Sequence, residues 1–167
     1  MAPGPEALAG NTMQRVDEAE RDTAARLALR LLVDTYARLV DRRDTDAVAQ
    51  LFTEDGRLVA HFYTGPDGAP NVRTGRAEIT AALVAGLERY LGTTHVVGGQ
   101  VLDVDGDRAR GETVCLAHHV YERHDERRLL VMAVRYQDDF VCEAGTWRFA
   151  ERQLRLDWRD DHPMAER

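Results

Sequence analysis

Apolar residues between Thr23 and Asp41 recur at Leu29, Leu32, Val33, Tyr36 and Val40, a spacing of threes and fours that lays one stripe along a helix. Asp22 or Thr23 can cap its start, and the polar run Asp41-Arg42-Arg43-Asp44 ends it. Thr45 to Phe52 reads as a short second helix with Ala47, Val48, Leu51 and Phe52 inward, closed by a turn at Glu54-Asp55-Gly56. Arg57 to Tyr63 predicts a strand. Gly65 to Asn71, rich in Gly and Pro, predicts a flexible loop long enough to overhang a pocket mouth. A third helix runs from about Arg76 to Leu91, with Ile79, Leu83, Leu87 and Tyr90 on one face.

From Thr93 onward the pattern is that of strands. Thr93–Val104, Arg108–Tyr121, Arg128–Val141 and Thr146–Trp158 are four long candidates, separated by Asp105-Gly106, by the charged loop Glu122 to Glu126 and by Glu143-Ala144-Gly145. Short connections between long strands imply an antiparallel meander. Helices first and strands afterwards is the α+β order, so the fold expected is a curved antiparallel sheet forming a cone-shaped half-barrel closed by the N-terminal helices. The concave side would hold a blind pocket.

A chain of 167 residues is one domain long. Residues 1–16 are expected to be a loose tail, 17–160 the domain and 161–167 a second tail. The formal charge of −7, with arginines interleaved among acids, leaves no basic field for nucleic acid. Arg and Asp interrupt every hydrophobic run, so no membrane span is expected, and the opening run lacks the basic start of a signal peptide. A soluble, cytoplasmic protein follows, and Cys115 and Cys142 fit reduced core thiols in that setting.

Candidate chemistry begins at Asp41, a carboxylate at the end of an apolar stripe. On an ideal helix its side chain diverges by about 140° from that of Tyr36, so the two meet only if the helix ends or bends there. Otherwise Asp41 simply opens the polar break and faces water. His95, in Thr93-Thr94-His95-Val96-Val97, is either a hydrogen-bonded core residue or an acid/base group. If Asp41 accepts the proton of one ring nitrogen, the other becomes a base of fixed orientation. Strand alternation puts Thr113, Cys115, Ala117, His119 and Tyr121 on one face and His118 on the other. Adjacent histidines facing opposite ways suit no shared metal, and no set of partner ligands accompanies them. Arg155 shares parity with Trp147, Phe149 and Gln153, which places it on the apolar side unless a bulge shifts the register. There it would contact substrate or an acidic partner. No phosphate loop, Gly-x-Ser-x-Gly elbow, dinucleotide fingerprint or spaced cysteine pair is present.

Four stretches carry a family resemblance: Tyr36 to Asp41 with Ala47 to Gly56, the Gly75-Arg76 step, Thr94-His95, and Trp147-Arg148-Phe149. From Arg26 to Trp158 the chain resembles the SnoaL-like branch of the superfamily that includes nuclear transport factor 2 and ketosteroid isomerase. Within it the chain is similar to a sub-group with scytalone dehydratase, hexachlorocyclohexane dehydrochlorinase and bile-acid dehydratase, which eliminate without a cofactor through an Asp-His dyad. The resemblance implies that Asp41 and His95 are the catalytic pair, and that Tyr36, Arg155, His119 and Tyr136 bind substrate. It lacks a match for a full set of substrate hydroxyl donors. The function implied is a cofactor-independent, metal-free lyase, of dehydratase type, acting on a small hydrophobic or polyketide- or steroid-like molecule. An isomerase or polyketide cyclase would share its first step, and a binding or structural subunit would not need the dyad. A homo-oligomer, dimer or trimer, is expected through an outer sheet face carrying Leu130 and Val114.

Overall fold

The computed structural model describes residues 5–64 and 68–165. Helix α1 (Pro5–Asp41) and helix α2 (Thr45–Gln50) lead into strands β1 (Phe52–Thr64) and β2 (Pro70–Thr74). Helix α3 (Arg76–Leu87) follows, then strands β3 (Gly92–Asp105), β4 (Arg108–Arg123), β5 (Glu126–Glu143) and β6 (Thr146–Pro163). The six strands form one curved, unclosed sheet in the order β2-β1-β6-β5-β4-β3. Five of the element assignments expected from the hydrophobic pattern, α3 and the meander β3 to β6, recur with ends shifted by a few residues.

The differences are instructive. Helix α1 begins at Pro5, so the tail expected over residues 1–16 is helical from residue 5 and residues 1–4 lie outside the described residues. Asp22 and Thr23 therefore stand inside the helix, where Asp22 pairs with Arg26 at 2.7 Å and Thr23 donates to the Ala19 carbonyl at 2.8 Å. Phe52 belongs to β1 and not to α2, and in α2 it is Ala49, rather than Ala47, that is buried beside Val48. The turn expected at Gly56 is a register shift inside β1. A Cβ on Gly56 would come within 2.8 Å of the Phe52 Cβ, so this bend needs glycine. Part of the expected mouth loop, Pro70 and Asn71, is strand β2, antiparallel to β1, while 65–67 lie outside the described residues. The strand β1 pairs with β6 in parallel, so the sheet is antiparallel in every pairing but one. Met164 continues the expected C-terminal tail only after β6 has run to Pro163.

The stripe read from the sequence does the packing. Leu29, Leu32, Val33, Tyr36 and Val40 of α1 are buried against the concave sheet face with Phe52, Ile79, Cys115, Val134, Phe140 and Phe149. Burying side chains of this size contributes about 1.5–3 kcal/mol each. On β4, Thr113, Cys115, Ala117 and His119 are buried and Val114 is exposed, as alternation requires. Leu130 sits directly opposite His119 and so faces the core, not the outside. The outer face carries Val114, Val96, Val101 and Trp158 instead. Among the described residues no helix is long and apolar enough to cross a membrane.

Candidate active site

Asp41 is the last residue of α1, where the negative end of the helix dipole disfavours a carboxylate. Three donors offset this. His95 Nδ1 lies 2.6 Å from Asp41 Oδ1, the His95 backbone N–H donates to Oδ2 at 2.9 Å, and Thr93 Oγ1 donates to Oδ1 at 2.9 Å. Burial alone would raise the Asp41 carboxyl, but the hydrogen bonds from His95 and Thr93 outweigh it and hold the group below its ordinary value. Asp41 is therefore an anion that fixes the His95 ring by Nδ1. Nε2 is left without a hydrogen-bond partner among the described residues.

The strand places the ring. Thr93 and His95 are two apart on β3 and share its inner face, opposite His119 and Ala117 of β4. The chain reaches this register through the turn Arg42 to Asp44. Arg43 there takes a left-handed φ of 59°, and its guanidinium donates to the Leu87 carbonyl at 2.9 Å and to the Tyr90 carbonyl. That clamp ties the end of α1 to the end of α3.

His95 lines a cavity of about 420 Å³ between the sheet and α3. Apolar side chains make most of its wall, and Tyr36, Tyr136 and His119 supply its inner polar groups. Asp41 is absent from that wall. It lines a separate, solvent-facing cleft with Asp34, Arg38 and Arg42, so the imidazole stands between the two spaces. The ring is 9 % exposed and the carboxylate 24 %. Such a volume suits a small organic molecule.

The expected site residues divide cleanly. Tyr36, Asp41, His95, His119 and Tyr136 are brought together, with the His95 and His119 ring centres 5.7 Å apart and those of Tyr36 and Tyr136 6.0 Å apart. Arg155 is not. It is exposed on the outer face, bonded to Gln137 and Gln153. The cause is a bulge at Ala150: Phe140 pairs with Phe149, but its neighbour Asp139 pairs with Glu151, and one extra residue inverts the parity of the strand beyond it. The inward guanidinium is consequently Arg152, fully buried and joined to Asp138 by two hydrogen bonds of 2.8 and 2.7 Å. It stacks at 4.1–4.2 Å on Tyr36, Tyr136 and Phe149 and so supports the cavity floor. Sequence reasoning missed Arg152 and Thr93. The parity shared by Thr93 and His95 could have flagged the second.

The sequence profile of the SnoaL-like domain matches residues 21–153, which include all five of the clustered residues. The chain belongs to the SnoaL-like domain family. A relative, the uncharacterized protein Rv2910c of Mycobacterium tuberculosis (strain ATCC 25618 / H37Rv), is 27% identical over 128 residues, covering 76% of this chain and 82% of that protein. Among solved structures, a protein of Novosphingobium aromaticivorans DSM 12444 provisionally named scytalone dehydratase superposes with a TM-score of 0.72 at 23% identity. The match covers 88% of this chain and 93% of that one. Hexachlorocyclohexane dehydrochlorinase LinA-type3 from Novosphingobium barchaimii LL02 gives 0.71 at 18% identity over 86% and 92%. At such identities these likenesses establish the shared fold.

In this SnoaL-like domain the second inner histidine has an unusual state. His119 is 8 % exposed, its Nδ1 has no hydrogen-bond partner among the described residues, and burial together with the nearby His95 pushes its pKa down to about 4. It is neutral at neutral pH. Between pH 6.5 and about 4 the unfolded chain therefore binds the proton that the folded chain refuses, and stability falls as pH drops through that window. The full loss is on the order of 3 kcal/mol. Thermal melts of His119→Gln should show a shallower decline over the same range, and an unchanged slope would contradict the assignment. Among the described residues no group of three or more His, Cys, Asp or Glu side chains is placed to hold a metal ion.

Proposed function

We propose that this chain is a cofactor-independent lyase of the dehydratase type, acting on a small, largely hydrophobic molecule bound in the cavity. The observation that carries the reading is the Asp41-His95 hydrogen bond at 2.6 Å behind a cavity-lining imidazole. Nε2 of His95 takes a proton from a carbon next to an activating group, and Asp41 stabilises the imidazolium that results. As the carbon–oxygen bond breaks, the departing hydroxyl takes up the proton held on His95 Nε2 and leaves as water, which returns the imidazole to its neutral state. Tyr36, Tyr136 and His119 surround that step. Burial raises the pKa of both phenols, so they keep their protons and act as hydrogen-bond donors to developing negative charge.

Names of structural relatives support the class: one is provisionally a dehydratase and another a dehydrochlorinase, both names of eliminations. The test is a screen of hydroxylated ketones, steroids and aromatic polyketide intermediates in deuterated buffer. Loss of water, or deuterium gained at the activated carbon, supports the proposal. A compound that binds the cavity with neither event would favour a binding module.

The proposal includes a homo-oligomer, because Val96, Val101, Val114 and Trp158 leave apolar surface on the outer sheet face. Light scattering at micromolar concentration should give the mass of a dimer or trimer. A monomer throughout would contradict it.

A further inference from the structure

The cavity of about 420 Å³ is lined by no Asp or Glu side chain among the described residues, although the chain has 29 acids against 22 basic residues. Its charged lining consists of two arginines, on different elements. Arg73 lies on the edge strand β2 directly opposite Leu58, and Leu58 is in turn opposite the buried Arg152. Residues opposite one another share a face, so Arg73 points to the concave side. Asn71, two residues along, lines the cavity with it. Arg89 follows α3, with its guanidinium 4.9 Å from the Tyr90 ring centre.

Arg57, Arg128, Arg135 and Arg152 of the sheet each meet a carboxylate within 2.9 Å, whereas Arg73, like the outward-facing Arg155, does not. Among the described residues Arg73 makes one hydrogen bond, from Nη1 to the Val72 carbonyl at 2.9 Å, and no ion pair. A guanidinium carries five N–H donors in a planar fork shaped for carboxylate or phosphate oxygens. Placed on the concave face beside apolar wall, it has no carboxylate partner among the described residues, and unlike Arg155 it lines the cavity.

We propose that the cavity takes an amphipathic organic anion, its hydrocarbon body against the apolar wall and its anionic oxygens at the fork of Arg73, with Arg89 adding charge at the same lining. This rests on the reading of the cavity as the substrate site, and it names the substrate's class: a molecule bearing a carboxylate, or carried as a thioester whose phosphates supply the anion. The anionic end fixes which end of the molecule faces His95.

Calorimetric titration with naphthylacetate, its neutral methyl ester and its coenzyme A thioester tests this without knowledge of the natural substrate. The acid should bind about tenfold more tightly than the methyl ester, the scale of one charge-assisted contact. Arg73→Gln should remove that preference and leave the ester's affinity unchanged, while Arg73→Lys should keep part of it, and added salt should weaken it. A thioester that outbinds the acid in the unsubstituted chain, and loses its advantage in Arg73→Gln, would assign the anion to the carrier phosphates; the reverse order would assign it to a carboxylate. Thermal melts confirm that each variant is folded. Equal binding of all three ligands, a preference for the anionic ligand that survives Arg73→Gln, or no binding of any of the three, would each overturn the proposal. His95→Ala should retain the preference in full, so failure of the dyad mechanism would appear as turnover in that variant and leave these affinities readable.

Discussion

Replacing His95 with Ala should lower turnover by about 10²- to 10⁴-fold, the range supplied by a positioned general base. Asp41→Asn keeps the shape of the side chain but loses the charge that stabilises the imidazolium and fixes the ring, so it should be damaging on a similar scale. Thr93 Oγ1 and the His95 backbone N–H donate to different oxygens of Asp41, so the single amide oxygen of the variant keeps only one of them, and its residual activity reports the lost charge together with that lost hydrogen bond. The double variant should be about as slow as the worse single one, because the two residues act as one unit. Assays of the three variants, with circular dichroism to confirm folding, check this. Near-normal turnover by folded His95→Ala would remove the mechanism.

The largest effect on stability should come from the pair beneath the cavity. Asp138→Asn leaves the Arg152 guanidinium fully buried without its counter-charge, and a guanidinium cannot shed its proton. Breaking a buried pair in this way costs about 3–5 kcal/mol. For a domain of this size that lowers Tm by roughly 10 °C. Arg152→Met should cost less, since the thioether chain can fill the space between the rings of Tyr36, Tyr136 and Phe149, and the stranded Asp138 can take up a proton. Burial already pushes the Asp138 carboxyl up against the pull of Arg152. Without that pull it rises further. A carboxyl raised in the folded state binds more protons folded than unfolded, so Arg152→Met should gain stability as pH falls from neutral toward the ordinary carboxylate range. Asp138→Asn has no such group and should not share that gain. Thermal melts at pH 7 and pH 5 separate the two; parallel responses would contradict the account of the pair.

The parts of this architecture legible in the sequence are those governed by local period. The stripe Leu29 to Val40 names the buried face of α1, and the alternation Thr113 to His119 separates the two faces of β4, because neither stretch contains an irregularity, although which of the two faces is inner is set by the packing. For Asp41 and His95 the local patterns left a water-facing carboxylate and a core histidine open, and their pairing was what the family resemblance implied. What remained hidden depends on register between distant strands. One extra residue at Ala150 sends Arg155 outward and Arg152 inward, and nothing in the local pattern of β6 distinguishes the two. The parallel pairing of β1 with β6, and the conversion of Pro70 and Asn71 from loop to edge strand, likewise follow from tertiary pairing. Leu130 illustrates the same limit, since its face is set by its opposition to His119.

The central claim is that Asp41 holds His95 by Nδ1 and leaves Nε2 as the base, and it can be tested before any substrate is known. Nitrogen-resolved NMR of protein labelled at histidine reports which ring nitrogen carries the proton in the neutral form. The geometry predicts that His95 is protonated at Nδ1, with a proton signal shifted far downfield by the 2.6 Å contact to Asp41, and that this signal weakens or moves in Asp41→Asn. A neutral His95 protonated at Nε2, with Nδ1 bare and indifferent to substitution at Asp41, would contradict it.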